Sequence, residues 1–468
     1  MSDTIATLDP DVALQDNEAL DDDYVLTAGF VEKVVDAADD GDGMRLRSLL
    51  EDLHPADVAD LMGFLTSEHR TVVVLGLSPE MLGETLPELD DGIREEVLER
   101  LPAGALAEAL QELDSDDAAA VVEDLEDDQR ERVLSAMPLV DRAAIESSLG
   151  YAEDTAGRLM QREVMAAPLF WTVGDTIDHV RAQHDELPEL FFDIYVVDPS
   201  NKPVGGIPIS WLLRAGRDIR LSDLMEPVNE IAVDQDQEEV AYIFEKYHLI
   251  SAPVVDAAGR LVGQITVDDI VNIIQEENRE DILRLAGVSD ESRGAVVQGV
   301  VRSRIPWLVV NLGTAVFASL VIGLFQTEIE TLVALAVLMP VVASIGGNAG
   351  TQALTVAVRS LASRELTSAN AMRILTREVL VGLTNGVTIA VLMAAIAGVW
   401  FGMPKLSLTI GLAVLINLIA ASLAGTLIPI VLDRLDRDPA VASPVFVTWI
   451  TDTVGFFSFL GLAGLILL

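Results

Sequence analysis

The last third of the chain is a succession of apolar runs. Five of them, roughly 306–325, 331–357, 379–401, 406–432 and 440–468, are each long enough to cross about 30 Å of hydrocarbon as a helix. Upstream the pattern changes. From Phe30 to about Leu149 leucines recur at three- and four-residue spacing, interrupted by short Asp, Pro or Gly breaks every ten to sixteen residues. That periodicity predicts short helices. Segments echo one another, as in His54-Pro-Ala-Asp-Val-Ala-Asp-Leu61 against Asp114-Ser-Asp-Asp-Ala-Ala-Ala-Val121, with Leu86-Pro and Leu101-Pro at similar starts. The expected result is a stack of antiparallel helices in a superhelical repeat, an architecture suited to binding and transmission.

Residues 158–275 alternate β-branched runs with helical ones, and the stretch duplicates itself. Ile194-Tyr-Val-Val-Asp198 followed by Pro203-Val-Gly205 matches Ala252-Pro-Val-Val-Asp256 followed by Leu261-Val-Gly263, and Val164-Met165 matches Leu224-Met225. Strand–turn–strand–helix repeats of this length resemble a tandem CBS-domain pair. Gln264-Ile-Thr-Val-Asp-Asp-Ile270 fits the CBS ending well, whereas Gly206-Ile-Pro-Ile-Ser-Trp211 lacks its Asp. The resemblance implies a regulatory, dimerising α/β module that binds adenine nucleotides in many members; ATP is the implied ligand here. Residues 271–304 then read as one long helix or two, ending at the basic collar Arg302-Ser-Arg304.

Charge divides the chain at the same place. Its 468 residues carry a formal net charge of −45 while half are hydrophobic. From Arg302 onward nine Lys and Arg oppose eight Asp and Glu, so nearly all the negative charge lies in the first 301 residues. An acidic soluble half precedes a nearly neutral membrane half. Only four of thirty bases are lysine, a balance that suits high intracellular salt, so the acidity is not itself evidence for metal binding. The field sign disfavours nucleic acid. Zero cysteines exclude disulfides and thiolate metal sites, and His54, His69, His179, His184 and His248 lack zinc spacing. Met1 to Asp23 is acidic without an apolar core, so no secretory signal is expected. Bases cluster before the first apolar run, after the second and after the fourth. The positive-inside rule then places the soluble half in the cytoplasm and the C-terminus outside.

The chemistry of the membrane half centres on Asp452, the one ionisable residue between Ala440 and Leu468. An acid at the middle of a membrane helix costs about 2.5–3.5 kcal/mol on insertion scales and normally faces a bundle interior or a water-filled path. At helical spacing Thr448, Asp452 and Gly455 share one face, which reads as the lining of a cation pathway. The competing reading is an acid that bonds a neighbouring helix. In the second run, Met339-Pro-Val-Val-Ala-Ser-Ile-Gly346-Gly347-Asn348-Ala-Gly350-Thr351-Gln352 combines three glycines and a proline with neutral oxygens. The expectation is a broken helix with freed carbonyls lining a pore; small residues admitting tight helix packing are the alternative. Asn385 and Asn417 read equally as helix–helix contacts or as lining, and Pro429 as a kink.

Pro340-Val-Val-Ala-Ser-Ile-Gly-Gly-Asn-Ala-Gly-Thr-Gln352 and Ala442-Ser-Pro…Val-Thr-Trp-Ile-Thr-Asp452 resemble the two membrane signatures of the MgtE family of magnesium channels and transporters. The order of parts over 30–468 matches too. The resemblance implies a multidomain fold: an acidic tail at 1–25, an all-α superhelical N domain at 26–150, a tandem CBS pair at 151–275, a connecting plug helix at 276–304, and a five-helix transmembrane pore at 305–468. It implies a homodimer in the plasma membrane with a largely hydrated Mg2+ held by Asp452 on the two-fold axis, which suits an ion that dehydrates reluctantly. Gly346, Gly347, Asn348, Gly350, Thr351, Gln352 and Thr448 become pore-lining candidates. The family also uses cytoplasmic Mg2+ as an off-signal. Carried over by position, Asp269, Glu277, Glu280 and Asp281 match plug-facing acids, Asp236 and Glu238 a CBS site, and Asp116 with Glu112 an N-domain site. Asn272 and His248 stand where acids are common in the family.

The function expected is a gated Mg2+ channel or transporter, not an enzyme, because no nucleophile–base pair, phosphate loop or redox centre is recognisable in the sequence. Two rivals remain at this stage: a carrier of another divalent cation such as Co2+ or Mn2+, and a membrane-anchored CBS sensor without transport. Asp452 and the polar second run argue against a mere anchor.

Overall fold

A computed structural model describes residues 19–183, 187–188, 190–286, 288, 297–366, 369–435 and 437–467. It divides into two compact units, one comprising residues up to Gln275 and the other, from Glu276 onward, containing the apolar helices.

The first unit opens with ten helices: α1 (Ala28–Asp39), α2 (Gly43–Leu50), α3 (Pro55–Phe64), α4 (Ser67–Gly76), α5 (Pro79–Glu88), α6 (Asp91–Arg100), α7 (Ala103–Ala109), α8 (Ser115–Glu123), α9 (Asp127–Ala136) and α10 (Leu139–Ser148). From α3 onward each begins twelve residues after the last, a regular step where the sequence pattern shows breaks of ten to sixteen. Its cause is one residue. Leu65, Leu77, Leu89, Leu101 and Met137 end their helices in an extended conformation. All of them point into or against one continuous core. The residue that follows caps the next helix, by side chain at Thr66 and Ser78. Helices two apart stack (α3 on α5, α5 on α7, α7 on α9, α8 on α10), giving the layered superhelix that the echoing segments predict.

The chain then passes through α11 (Ala156–Leu159) into two three-stranded sheets. In the first, β1 (Ala166–Pro168) runs parallel to β2 (Asp193–Val197), which pairs antiparallel with β3 (Pro203–Pro208); α12 (Val173–Ala182) connects β1 to β2. Two short helices, α13 (Ile209–Leu212) and α14 (Leu221–Leu224), lead to the second sheet. There β4 (Ile231–Ala232) is parallel to β5 (Ser251–Val255), β5 is antiparallel to β6 (Leu261–Thr266), and α15 (Gln237–Tyr247) makes the crossover. The duplication is exact in topology. Even the irregularities correspond, at Val196/Val197 and at Val254/Val255. The two copies meet through a buried chain: the Tyr195 hydroxyl lies 2.7 Å from Ser251 Oγ, which donates to Asp193 Oδ2 at 2.7 Å.

After β6 comes α16 (Val267–Leu285), a single helix that continues from the last sheet into the connecting segment. The apolar region contains α17 (Val297–Gly323), the short α18 (Gln326–Thr331), α19 (Ala334–Ala362), α20 (Ala371–Phe401), α21 (Pro404–Asp433) and α22 (Pro439–Ile466). Five of these are long and apolar enough to cross a membrane. α20 starts eight residues before the apolar run predicted at 379, because Arg373, Arg377 and Glu378 continue the helix beyond its hydrophobic part. α21 is the most enclosed and packs on α19, α20 and α22, while α17 lies chiefly along α22.

One expectation is corrected. α19 runs unbroken through Pro340 and through Gly346 to Gly350. A single proline removes one donor, and its neighbours close over the loss. The glycines serve close approach instead. A Cβ on Gly350 would fall 2.6 Å from Val447 Cγ1 of α22, and one on Gly425 would fall 2.5 Å from the Gly350 carbonyl oxygen. Packing through small residues is what this stretch does.

The helical repeat gives a direct test. Leu86 of α5 is fully buried in the core. Leu86→Ala should destabilise that unit by about 2–5 kcal/mol, read as lost hydrogen-exchange protection across α3, α5 and α7. Loss confined to α5 would contradict a continuous core.

Candidate cation sites

Three groups of acids are placed by different elements. The first lies within the first unit. Asp116 and Asp117 occupy the opening turn of α8, whose exposed N–H groups and dipole favour negative charge. Ser115 anchors that turn: its backbone N and Oγ donate to Glu163 Oε2 at 3.2 and 2.8 Å, and Arg162 N donates to Ser115 Oγ at 2.8 Å. Asp268 and Asp269 occupy the opening turn of α16, and Thr266 Oγ1 donates to Asp269 Oδ2 at 3.0 Å. The two turns face one another electrostatically. Asp116 is driven well above the usual carboxylate range by burial, then by the charges of Asp269 and Asp117. Burial, with Asp268 and Asp117, pushes Asp269 up to about 7. Burial, with Asp114, Glu88 and Asp268, pushes Asp117 up to about 6. Sequence reasoning paired Asp116 with Glu112; Glu112 is exposed in the turn after α7, and Asp117 and Asp268 are the acids that act with Asp116 and Asp269. Asp117 was overlooked because one acid among several adjacent ones carries no signal until the facing helix is known.

Asp236 and Glu238 are both exposed at the start of α15, where Asp236 caps the helix by accepting from Glu238 N at 3.0 Å. A local structural role accounts for Asp236. His248 ends the same helix in the left-handed conformation, with φ +54°. Asn272 is exposed on α16.

The second group lies in the second unit. Glu277, Glu280 and Asp281 follow one another on the later turns of α16, and Glu280 is ion-paired with Arg284. Arg284 Nη1 also donates to Asp438 Oδ2 at 2.8 Å, just ahead of α22. Burial first, then the charges of Asp438 and Glu277, raises Asp281. Next to this pair Leu285 packs against Leu354, Val358 and Val447, so the end of α16 is held to α19 and α22 by an apolar and an ionic contact together. Sequence reasoning misses Asp438, because the loop after the fourth apolar run is read there only for its bases, Arg434 and Arg437, as a topology signal.

Third is the membrane face. Asp452 is half-buried in the middle of α22. Thr448 Oγ1 donates back to the Pro444 carbonyl at 2.9 Å, and Thr351 Oγ1 to the Gly347 carbonyl at 3.0 Å. Asn348, Thr351 and Gln352 are exposed on α19, with Gly347 meeting open space. Gly346 and Gly350, expected to line a pore, are instead buried against Asn417 and Val447. They are packing positions. Among the described residues no three Asp, Glu or His side chains are gathered tightly enough to hold one ion among themselves.

A helical repeat, a duplicated CBS-type module and five apolar helices with an acid in the last of them define a multi-pass membrane protein of the cation-transporter class. The comparisons narrow this. The MgtE model, described as a divalent cation transporter, matches residues 339–462; the MgtE intracellular N domain matches 53–154 and a CBS domain 221–276. Magnesium transporter MgtE of Thermus thermophilus is 35% identical over 442 residues, 92% of this chain and 97% of that protein. Magnesium transporter MgtE of Bacillus subtilis is 29% identical over 427 residues, 91% and 94% of the two chains. The crystal structure of the cytosolic domain of the Mg2+ channel MgtE in complex with ATP is 34% identical, with a TM-score of 0.50 over 52% of this chain and 99% of that one. The chain belongs to the MgtE family.

The electrostatics of the first group predict a pH dependence. Asp116, Asp117 and Asp269 keep protons to higher pH folded than unfolded, so the folded state binds more protons between the ordinary carboxylate range and about pH 7. Stability contributed there falls as pH rises through that window. In EDTA the thermal transition of the solubilised full chain should drop between roughly pH 4 and 7, and Asp116→Asn should flatten the drop. A flat wild-type profile would mean that these acids ionise without cost.

Proposed function

We propose that this protein carries Mg2+ across the plasma membrane through a pathway containing Asp452, and that cytoplasmic Mg2+ shuts it. The observation that carries the reading is the half-buried Asp452 carboxylate in the middle of an apolar helix, within a chain related over nine-tenths of its length to magnesium transporters. A carboxylate that reaches ions through their water shell suits Mg2+, which keeps several waters in its sites. Oxygen-only chemistry in a chain without cysteine argues against specialisation for softer metals; transport of Co2+ or Mn2+ remains the second reading.

The protein acts as a homodimer with the pathway on its two-fold axis. Support comes from the exposed polar face of Asn348, Thr351 and Gln352 on a membrane helix, where lipid would leave the Asn348 and Gln352 carboxamides unpaired. The soluble half is cytoplasmic and the C-terminus is outside, following the distribution of Lys and Arg. Regulation follows from charge. Asp116, Asp117, Asp268 and Asp269 repel one another at the facing starts of α8 and α16, and Glu277 and Asp281 do so at the end of α16 beside Asp438. A divalent cation relieves both repulsions and favours the arrangement in which the acids stand close. ATP binds at the CBS pair, as the structural relative solved with ATP suggests. No catalytic step is assigned to the chain.

Proteoliposomes containing wild type or Asp452→Ala test the pathway. Mg2+ uptake should vanish, or lose preference for Mg2+, in the mutant; equal uptake would make Asp452 a packing acid. Glu277→Ala/Asp281→Ala should transport normally while needing several-fold more internal Mg2+ to close, with the shift measured by preloading the vesicles. Normal closure in that double mutant would remove the plug acids from sensing.

A further inference from the structure

Asn417 sits midway along α21 and is only 1% exposed. Its Nδ2 donates to the Val342 carbonyl of α19 at 2.9 Å. A main-chain carbonyl can only accept, so this contact fixes which end of the amide is which. The other end, Oδ1, is buried and meets no donor among the described residues. Two glycines on two further helices make room for the amide. A Cβ on Gly346 of α19 would overlap Nδ2 outright, and one on Gly455 of α22 would lie 2.8 Å from it. Gly455 is three residues beyond Asp452 on the same face of α22.

An amide retained for stability alone would not have these properties. A buried carbonyl oxygen without a donor is unfavourable, and leucine, of similar shape, would remove it. The two glycines give up side-chain packing of their own to admit it. What the amide provides is position: a planar group fixed by Val342 and standing between α19 and α22. We propose that Asn417 is a positioning residue for the permeation pathway. It sets the separation of α22 from α19 at Gly455 and thereby the place of the Asp452 carboxylate. The inference rests on the reading of Asp452 as a pathway residue.

The test compares purified wild type, Asn417→Leu, Asp452→Ala, Gly455→Ala and Gly455→Ala/Asn417→Ser, each by thermal melting in detergent and by Mg2+ and Ca2+ uptake into liposomes. Asn417→Leu should melt at or above the wild-type temperature while Mg2+ uptake falls about tenfold or more and its preference over Ca2+ is reduced. Gly455→Ala should lower uptake by displacing α22, and shortening the obstructing side chain in the double variant should restore part of it. Wild-type uptake and selectivity in folded Asn417→Leu would overturn the proposal. So would melting and uptake that fall together with selectivity unchanged. Should Asn417→Leu not fold, absence of recovery in the double variant overturns it. Loss of uptake in Asp452→Ala with normal Asn417→Leu removes only the role of Asn417; normal uptake in Asp452→Ala removes the pathway reading beneath it.

Discussion

A carboxylate with little water around it is the most demanding group this chain has to place. Such a group must take a proton, find a cation or keep some exposure. The problem is met once in the membrane, at Asp452, and again in the soluble region, at Asp116, Asp117 and Asp269. Much of the architecture can be understood as holding these acids where they would not otherwise stay. In the soluble unit both sets lie in first helical turns, where free N–H groups and the helix dipole offset part of the charge. Those turns are tied down by hydrogen bonds: Ser115 to the Glu163 carboxyl group, and the paired main-chain bonds between Gln161 and Gln264 at 2.9 Å.

Close packing of the apolar helices centres on α21. It lies against three other helices, and its neighbours approach it through small residues: Gly382 and Gly386 of α20 against Ser422, Leu415 and Leu418, and Gly346 of α19 against Asn417. Lipid gives helices little apolar reason to associate, so contact area at close range has to do so. This explains why glycine is frequent in a region whose helices run without interruption. It also explains why a carboxamide can sit at the centre of the bundle, since each glycine beside it leaves a space of about the right size.

Much of this was legible in the sequence, and the misreadings have physical causes. The five apolar runs and the duplicated sheet module are long, periodic signals, and both appear as helices and strands in the predicted places. The helical repeat was visible, but its twelve-residue step was hidden. Core leucines such as Leu86, Leu98 and Leu134 share the twelve-residue register of those that end the helices. The Gly346–Gly350 stretch reads as a break in sequence because glycine permits both a broken helix and a tight one. Only Asn417 and Val447, on other helices, decide between them. The same holds for the acids: Asp117 and Asp438 matter because of what faces them, and facing is a property of the fold. Asp236, conspicuous by position, turns out to cap a helix.

The strongly acidic composition makes desolvation the property that separates interacting acids from merely solvated ones. The chain carries 75 Asp and Glu residues. At molar salt the Debye length is about 3 Å, so exposed acids scarcely interact and a divalent cation gains little by visiting them. Partly buried acids are screened much less. Asp116 and Asp269, and Asp281 beside Asp438, still repel under those conditions, and a cation placed between them still relieves that repulsion. A solvated acidic surface and a few strongly interacting buried acids are therefore built from the same residue type in one chain. The number of acids sets how the molecule is solvated. Which of them still interact is set by the few places where two helix ends, or a helix and a loop, exclude water from a pair.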